Sequence, residues 1–248
     1  MSKLIINNHI LNDIRINEYY LEKGNKKGLV FIQHGFQSNK SRGADYLAIN
    51  VARLGYFVIA VDAYKHGDRI EEPYITGADY LRYADAYNVV DKTSNDIIKL
   101  YEDYYKSDYN GFDIIGVSMG GFIAYSVAIK CNYVKKLLPV ITTPNFMKLA
   151  TTRTNVPGLE EYLSELENHL EMIKSIDPIT RIDELKYESM FMLNGTLDSV
   201  IDYHPTVEFY EQYKNDNISL KLYEEGHAVN RKMQVDILEY ISNEKVVL

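Results

Sequence analysis

Residues 112–121 read FDIIGVSMGG, and this stretch constrains the chain more than any other. A β-forming run from Phe112 to Val117 passes through Gly116-Val117-Ser118-Met119-Gly120 and opens into FIAYSVAIK, a helix-forming segment. The pattern is strand, sharp turn, helix, with a serine at the apex. Such a turn forces Ser118 into a strained backbone conformation, and glycines at 116 and 120 keep side chains out of the crowded space around it. The hydroxyl is then expected to stand exposed at the edge of a sheet, with a helix N-terminus behind it.

Around this element the chain alternates between β-like and helix-like segments. LIINNHI and DIRINEYYLE predict two N-terminal strands, antiparallel and at the sheet edge. GLVFIQHG, YFVIAVDA, FDIIGV, KKLLPVIT and MFMLNG are short apolar runs of the kind buried on both faces, and ISLKLYEE is a further strand. Helical segments fall between them, including SRGADYLAINVARLG, whose Gly55 suits a C-terminal cap. About eight strands in a mostly parallel α/β sheet, with helices on both faces, follow from this alternation. All 248 residues fit one domain with a sizeable core. Residues 143–187 break the rhythm with helix-like material and no clear strand. PGLEEYLSELENHLEMIKSI reads as one amphipathic helix, and the interval predicts a small helical cap over the carboxyl ends of the strands.

Charge and composition remove several classes of partner. The net charge of −8 leaves no basic patch to neutralise phosphates, so no nucleic-acid partner is expected. The N-terminus carries polar and charged residues within its apolar pattern, which predicts neither a signal peptide nor a membrane span. The single cysteine, Cys131, precludes an intramolecular disulfide and suits a reducing, cytoplasmic setting as a buried structural thiol. No metal-ligand spacing, Walker loop or dinucleotide fingerprint appears, so neither metal nor cofactor is expected. The 22 tyrosines, with no tryptophan, read as fillers of amphipathic surface and core-edge positions. Oligomeric state, monomer or homodimer, stays open.

A serine hydroxyl becomes nucleophilic when a neighbouring base takes its proton, usually a histidine oriented by a carboxylate. Of six histidines, His227 lies in EEGHAVN, a loop directly after the last predicted strand, where it can reach across strand ends to Ser118. The carboxylate should follow a strand between the two, and MFMLNGTLDSVI supplies Asp198. Asp202 is the rival, but it precedes a helix entry and suits a cap. Asp177, before Pro178, reads as a turn residue. Acyl transfer also needs N–H donors for a developing oxyanion. Met119 should supply one, and Phe36, in the loop Gln33-His34-Gly35-Phe36-Gln37, the other. His34 reads as a structural residue ordering that loop, and Asp62 and His66 as stabilisers of the next one.

These pieces together resemble the α/β-hydrolase superfamily over nearly the whole chain: Gln33-His34-Gly35-Phe36, Asp62-Ala63-Tyr64-Lys65-His66-Gly67, Gly116-Val117-Ser118-Met119-Gly120-Gly121, Gly195-Thr196-Leu197-Asp198 and Gly226-His227. More narrowly, the chain is similar to small bacterial serine esterases of the dienelactone hydrolase and prolyl-oligopeptidase-like branch. The resemblance implies an α/β-hydrolase fold, Ser118 as nucleophile, His227 as base, Asp198 as orienting acid and an oxyanion hole from Phe36 and Met119. It implies a short-acyl carboxylesterase acting on a small-molecule ester through an acyl-enzyme. Thioesterase, acyltransferase or small-peptidase activity would use the same machinery, and a non-catalytic binding protein on this scaffold is the alternative of another class. The substrate is expected against Phe36, Phe146 and Met147, under the cap.

Overall fold

The short apolar runs form the middle of one eight-stranded sheet. The computed structural model describes residues 2–24, 26–71, 79–154 and 156–246. In it β3 (Leu29–Gln33) and β4 (Phe57–Val61) are buried at every position. β5 (Phe112–Val117), β6 (Val134–Val140), β7 (Ser189–Gly195) and β8 (Ile218–Tyr223) continue the sheet. The N-terminal pair, β1 (Leu4–Leu11) and β2 (Ile14–Leu21), is a hairpin whose two-residue turn, Asn12-Asp13, takes φ of 51° and 62°. Positive φ at both turn residues matches the twist of the flanking strands. The strand order is β1-β2-β4-β3-β5-β6-β7-β8, antiparallel from β1 to β4 and parallel from β4 to β8.

This order places the site. From β3 the chain moves outward to β4, then returns to the other side of β3 for β5. The loops leaving β3 and β5 therefore diverge around a crevice at the carboxyl ends of the strands, the position where open α/β sheets take their ligands.

Helices cover both faces. On one side α1 (Asp45–Arg53) and the C-terminal helix α8 (Arg231–Ser242) pack Val51 and Ile237 into a core with Val58 and Leu193. The other face carries α2 (Asp79–Leu100), α3 (Met119–Lys130) and α7 (His204–Tyr213). α3 is apolar all round and buried from Met119 to Ile129, as a helix wedged between a sheet and a second helix must be. At its end the half-buried Cys131 has its thiol pushed up to about 11 by burial.

Tyrosine goes deeper than the composition implied. Tyr19, Tyr101, Tyr125 and Tyr162 are fully buried. Two of them show how a phenol is accommodated there. The Tyr101 hydroxyl donates to Tyr109 O and accepts from the Gly111 N–H, both at 2.7 Å, and the Tyr162 hydroxyl donates to Ala150 O at 2.9 Å.

Among the described residues the interval between β6 and β7 holds three short α-helices: α4 (Phe146–Thr152), α5 (Leu159–Glu167) and α6 (Leu170–Ile176). The single amphipathic helix expected over PGLEEYLSELENHLEMIKSI is thus two. It breaks at Asn168-His169, two weak helix formers whose N–H groups bond three residues back, to Glu165 O and Leu166 O. α5 and α6 pack on α2 and bury Tyr162, Leu166, Ile173 and Ile176. Asp177 is more than a turn residue: fully buried, it accepts from the Thr180 N–H at 2.8 Å and the Met147 N–H at 2.9 Å, pinning the start of α4 to the end of α6. Among the described residues no helix is long and apolar enough to cross a membrane.

Candidate active site

Ser118 occupies the turn between β5 and α3 with φ 56° and ψ −119°, a conformation that costs an L-residue roughly 1–3 kcal/mol and persists where the surroundings enforce it. Two glycines make the enforcement possible. A Cβ on Gly116 would lie 2.0 Å from Gly120 O, and one on Gly120 would lie 2.2 Å from Gln33 O. The start of α3 is therefore pressed against the ends of β5 and β3. The Ser118 N–H donates to Val140 O at 2.9 Å, fixing the turn to β6 as well.

The other two predicted residues arrive from the ends of β7 and β8. The loop after β7 is zipped to the loop after β8 by Thr196 N–H to Tyr223 O (2.8 Å) and Leu197 N–H to Glu225 O (3.0 Å). Asp198 thereby meets His227: Nδ1 lies 2.7 Å from Asp198 Oδ2, and His227 Nε2 lies 2.9 Å from Ser118 Oγ. The Asp198 side chain is fully buried. Its other oxygen, Oδ1, accepts the N–H groups of Val200 (2.8 Å) and Ile201 (3.0 Å). Burial acts to raise the carboxyl, but the His227 hydrogen bond and these two N–H groups outweigh it and hold the group below its ordinary value. With the carboxylate ionised, the network assigns the imidazole proton to Nδ1 and leaves Nε2 to accept from the serine hydroxyl. Asp202 is exposed and serves its own helix end, accepting from the His204 N–H at 3.0 Å and facing His204 Nδ1 at 2.6 Å.

The loop after β3 forms the opposite wall. His34 is fully buried, and the Ala63 N–H donates to its Nε2 at 3.1 Å, so Nδ1 carries the proton and donates to Gly35 O at 2.8 Å. Burial lowers its pKa to about 4, which keeps it neutral and structural. Asp62, also fully buried, accepts from the Lys40 N–H (2.8 Å), Lys40 Nζ (2.9 Å) and the Asp68 N–H (3.0 Å). This buried ion pair ties the Phe36 loop to the end of β4 and was not anticipated, because nothing in the local pattern marks Lys40 as a core residue. The His66 ring lies 5.7 Å from both the Phe36 and the His34 ring. The Phe36 N–H meets no acceptor among the described residues, and Met119 opens α3, where an N–H has no intrahelical partner.

Ser118 and His227 open into a cleft of about 440 Å³ walled by Phe36, Tyr83, Phe122, Ile141, Val200 and Ile201, with Arg153 also on its lining. Phe36 lies on this lining. Phe146 and Met147 do not line the cleft. Phe146 is fully buried beneath the wall, its ring 4.8 Å from that of Phe122, so it supports the surface rather than forming it. The interval 143–187 touches the cleft instead through Arg153, just past the end of α4. Among the described residues no cluster of three histidine, cysteine or acidic side chains could hold a metal ion.

The sequence pattern of the uncharacterised protein family UPF0227 matches residues 86–229, more than half of the chain and a span that includes Ser118, Asp198 and His227. The chain belongs to this family. This UPF0227 member is also 24% identical over 199 residues to "Putative esterase YitV" of Bacillus subtilis (strain 168), across 75% of this chain and 74% of that protein. Among solved structures it is similar to TT1662 from Thermus thermophilus, with a TM-score of 0.73 at 18% identity, covering 97% of this chain and 98% of that one. Acetyl xylan esterase 1 from Thermoanaerobacterium sp. JW/SL YS485 superposes with a TM-score of 0.71 at 15% identity, over 98% and 88% of the two chains. The Pyrococcus furiosus esterase Pf2001 does so with a TM-score of 0.63 at 14% identity, over 98% and 89%. At such identities these likenesses speak for architecture, and the architecture of this UPF0227 member is the α/β-hydrolase fold expected from its motifs.

Proposed function

We propose that this esterase-type hydrolase cleaves short-chain carboxylic esters, with Ser118 as nucleophile, His227 as general base and then acid, and Asp198 as the group that orients the imidazole. The observation that carries the reading is the continuous relay from Ser118 Oγ to His227 Nε2 (2.9 Å) and from Nδ1 to Asp198 Oδ2 (2.7 Å), on a serine held at φ 56°. The esterase designation of the Bacillus relative agrees with it.

In the proposed mechanism Ser118 Oγ attacks the ester carbonyl carbon while its proton passes to His227 Nε2. The imidazolium so formed is paired with the Asp198 carboxylate. The carbonyl oxygen becomes an oxyanion that takes the N–H groups of Phe36 and Met119, each such donor typically worth about 3 kcal/mol of barrier. On collapse the alkoxide leaves with the proton from Nε2, and the acyl group remains on Ser118. Water then enters, gives its proton to Nε2, attacks the acyl carbon and releases the carboxylic acid as Ser118 Oγ recovers the proton. A cleft of about 440 Å³ with mainly apolar walls favours a short acyl chain.

Hydrolysis of p-nitrophenyl butyrate tests the reading. Ser118→Ala should lose roughly 10⁵–10⁶-fold in kcat while keeping the wild-type unfolding transition. The wild type should be labelled by a fluorophosphonate probe, and Ser118→Ala should not. A Ser118→Ala variant that keeps most of its activity would overturn the assignment, and an unlabelled wild type would favour a binding protein on this scaffold. A panel of thioesters and aminoacyl amides should be turned over with lower kcat/KM than the esters.

A further inference from the structure

The cleft beside Ser118 carries one feature that ester hydrolysis alone does not require. Its walls are mainly apolar, yet Arg153 lies among them, the one permanently charged side chain on the lining among the described residues. Among the described residues no aspartate or glutamate lines this cleft, in a chain whose net charge is −8. Arg153 also lacks a carboxylate partner among the described residues. It lies over an aromatic face, the guanidinium carbon 4.8 Å from the centroid of the Tyr83 ring. Tyr83 in turn stacks on Phe36, with centroids 5.3 Å apart and planes 27° from parallel. The column Phe36–Tyr83–Arg153 thus runs along one wall, from the proposed oxyanion donor to the cation.

Arg153 is half-buried, and an ester bound beside it would strip more of its water, a cost that a counter-charge offsets. The described residues supply none. A guanidinium held over a ring keeps its forked N–H donors, which make no hydrogen bond among the described residues, in the arrangement that matches the two oxygens of a carboxylate. A single guanidinium, with no second permanent cation among the described lining residues, balances one negative charge and would leave a phosphate dianion half-neutralised. We propose that Arg153 selects the substrate by binding a carboxylate carried by the ester, so that the preferred substrates are half-esters or other esters bearing one carboxylate. This rests on the proposed ester hydrolysis at Ser118.

Matched substrate pairs test it on each side of the ester. Mono-p-nitrophenyl adipate is compared with p-nitrophenyl hexanoate, where a carboxylate replaces a terminal methyl on the acyl side. Similarly, 4-acetoxybenzoate is compared with phenyl acetate, where the carboxylate is on the alcohol side. In at least one pair the wild type should favour the anionic member in kcat/KM, chiefly through KM. Arg153→Ala should cut that preference roughly 10-fold to 100-fold, and Arg153→Lys should restore part of it. Binding is read apart from turnover by titrating monomethyl adipate and methyl hexanoate into Ser118→Ala. The anion should bind at least about 10-fold more tightly, and Ser118→Ala/Arg153→Ala should lose the difference. Turnover of esters with no Arg153-dependent preference in either pair and none in binding would overturn the proposal while leaving the hydrolase reading intact. Arg153-dependent anion binding without turnover of any ester would strike the hydrolase reading and leave the anion site standing.

Discussion

Replacing Asp198 by asparagine changes one atom and should nearly abolish turnover, for a reason visible in the hydrogen bonds. Asp198 Oδ1 accepts two N–H groups, from Val200 and Ile201, and Oδ2 faces His227 Nδ1 at 2.7 Å. In Asp198→Asn the amide oxygen must stay with the two N–H donors, since turning the amide over would set its NH₂ against them. The NH₂ therefore faces Nδ1 and donates to it. The imidazole proton is then driven to Nε2, where it points at Ser118 Oγ and cannot receive the serine proton. The variant also lacks the negative charge that would stabilise an imidazolium. Loss of the right tautomer in a serine–histidine–aspartate arrangement costs about 10⁴ in kcat, or roughly 5 kcal/mol of barrier. The assay is kcat on p-nitrophenyl butyrate, with a urea transition to establish that the variant is folded. Asp202→Asn is the control: this carboxylate serves the start of α7 and makes no hydrogen bond to the relay, so activity should stay within about 2-fold. The reasoning fails if Asp198→Asn keeps more than a tenth of wild-type activity, or if Asp202→Asn falls as far.

The buried ion pair behind the Phe36 loop predicts a stability effect. Lys40→Met keeps the packing of the stem but leaves the fully buried Asp62 with two N–H donors and no cation, which should cost about 3 kcal/mol. That corresponds to roughly 1 M in the urea midpoint. Lys40→Met/Asp62→Asn should recover most of it, and a double variant as unstable as the single would refute the charge argument. Asp113 and His34 predict opposite pH trends. Burial raises Asp113 to about 6 from 3.8, so the folded chain holds a proton that the unfolded chain releases, and stability falls as pH rises between those values. Asp113→Asn should therefore gain up to about 3 kcal/mol at pH 7, read from urea unfolding, and a loss there would contradict the sign. His34, lowered by burial to about 4 from 6.5, works the other way: stability should rise with pH across that interval, and a flat profile in a His34-intact Asp113→Asn chain would count against it.

Local chemistry explains what could be read along the chain. The turn at Ser118 is specified within ten residues, by a β-forming run, two glycines at which a Cβ would lie 2.0–2.2 Å from neighbouring backbone, and an apolar helix. Asp198 and His227 were legible because each directly follows a strand, and parallel strands deliver their carboxyl ends to one side of the sheet. The choice of Asp198 over Asp202 was legible too, because a carboxylate just before a helix entry has a local role available. The break at Asn168-His169 was missed because the apolar spacing on either side stays nearly in phase across it. Phe146 was misplaced because an aromatic residue in a cap segment suits either a pocket wall or the layer beneath it. Periodicity carries no depth coordinate.

By itself the amino-acid order determined the alternation of strands and helices, the strained turn, and which three side chains could meet, because each is a property of neighbouring residues or of strand direction. Only the tertiary structure decided that Lys40 would lie buried on Asp62, that Phe146 would back the cleft rather than line it, and that Arg153 would lie over the Tyr83 ring on the lining of the serine's cleft. Those outcomes depend on which surfaces of distant segments come into contact, and on whether a charge loses its water or keeps it when they do.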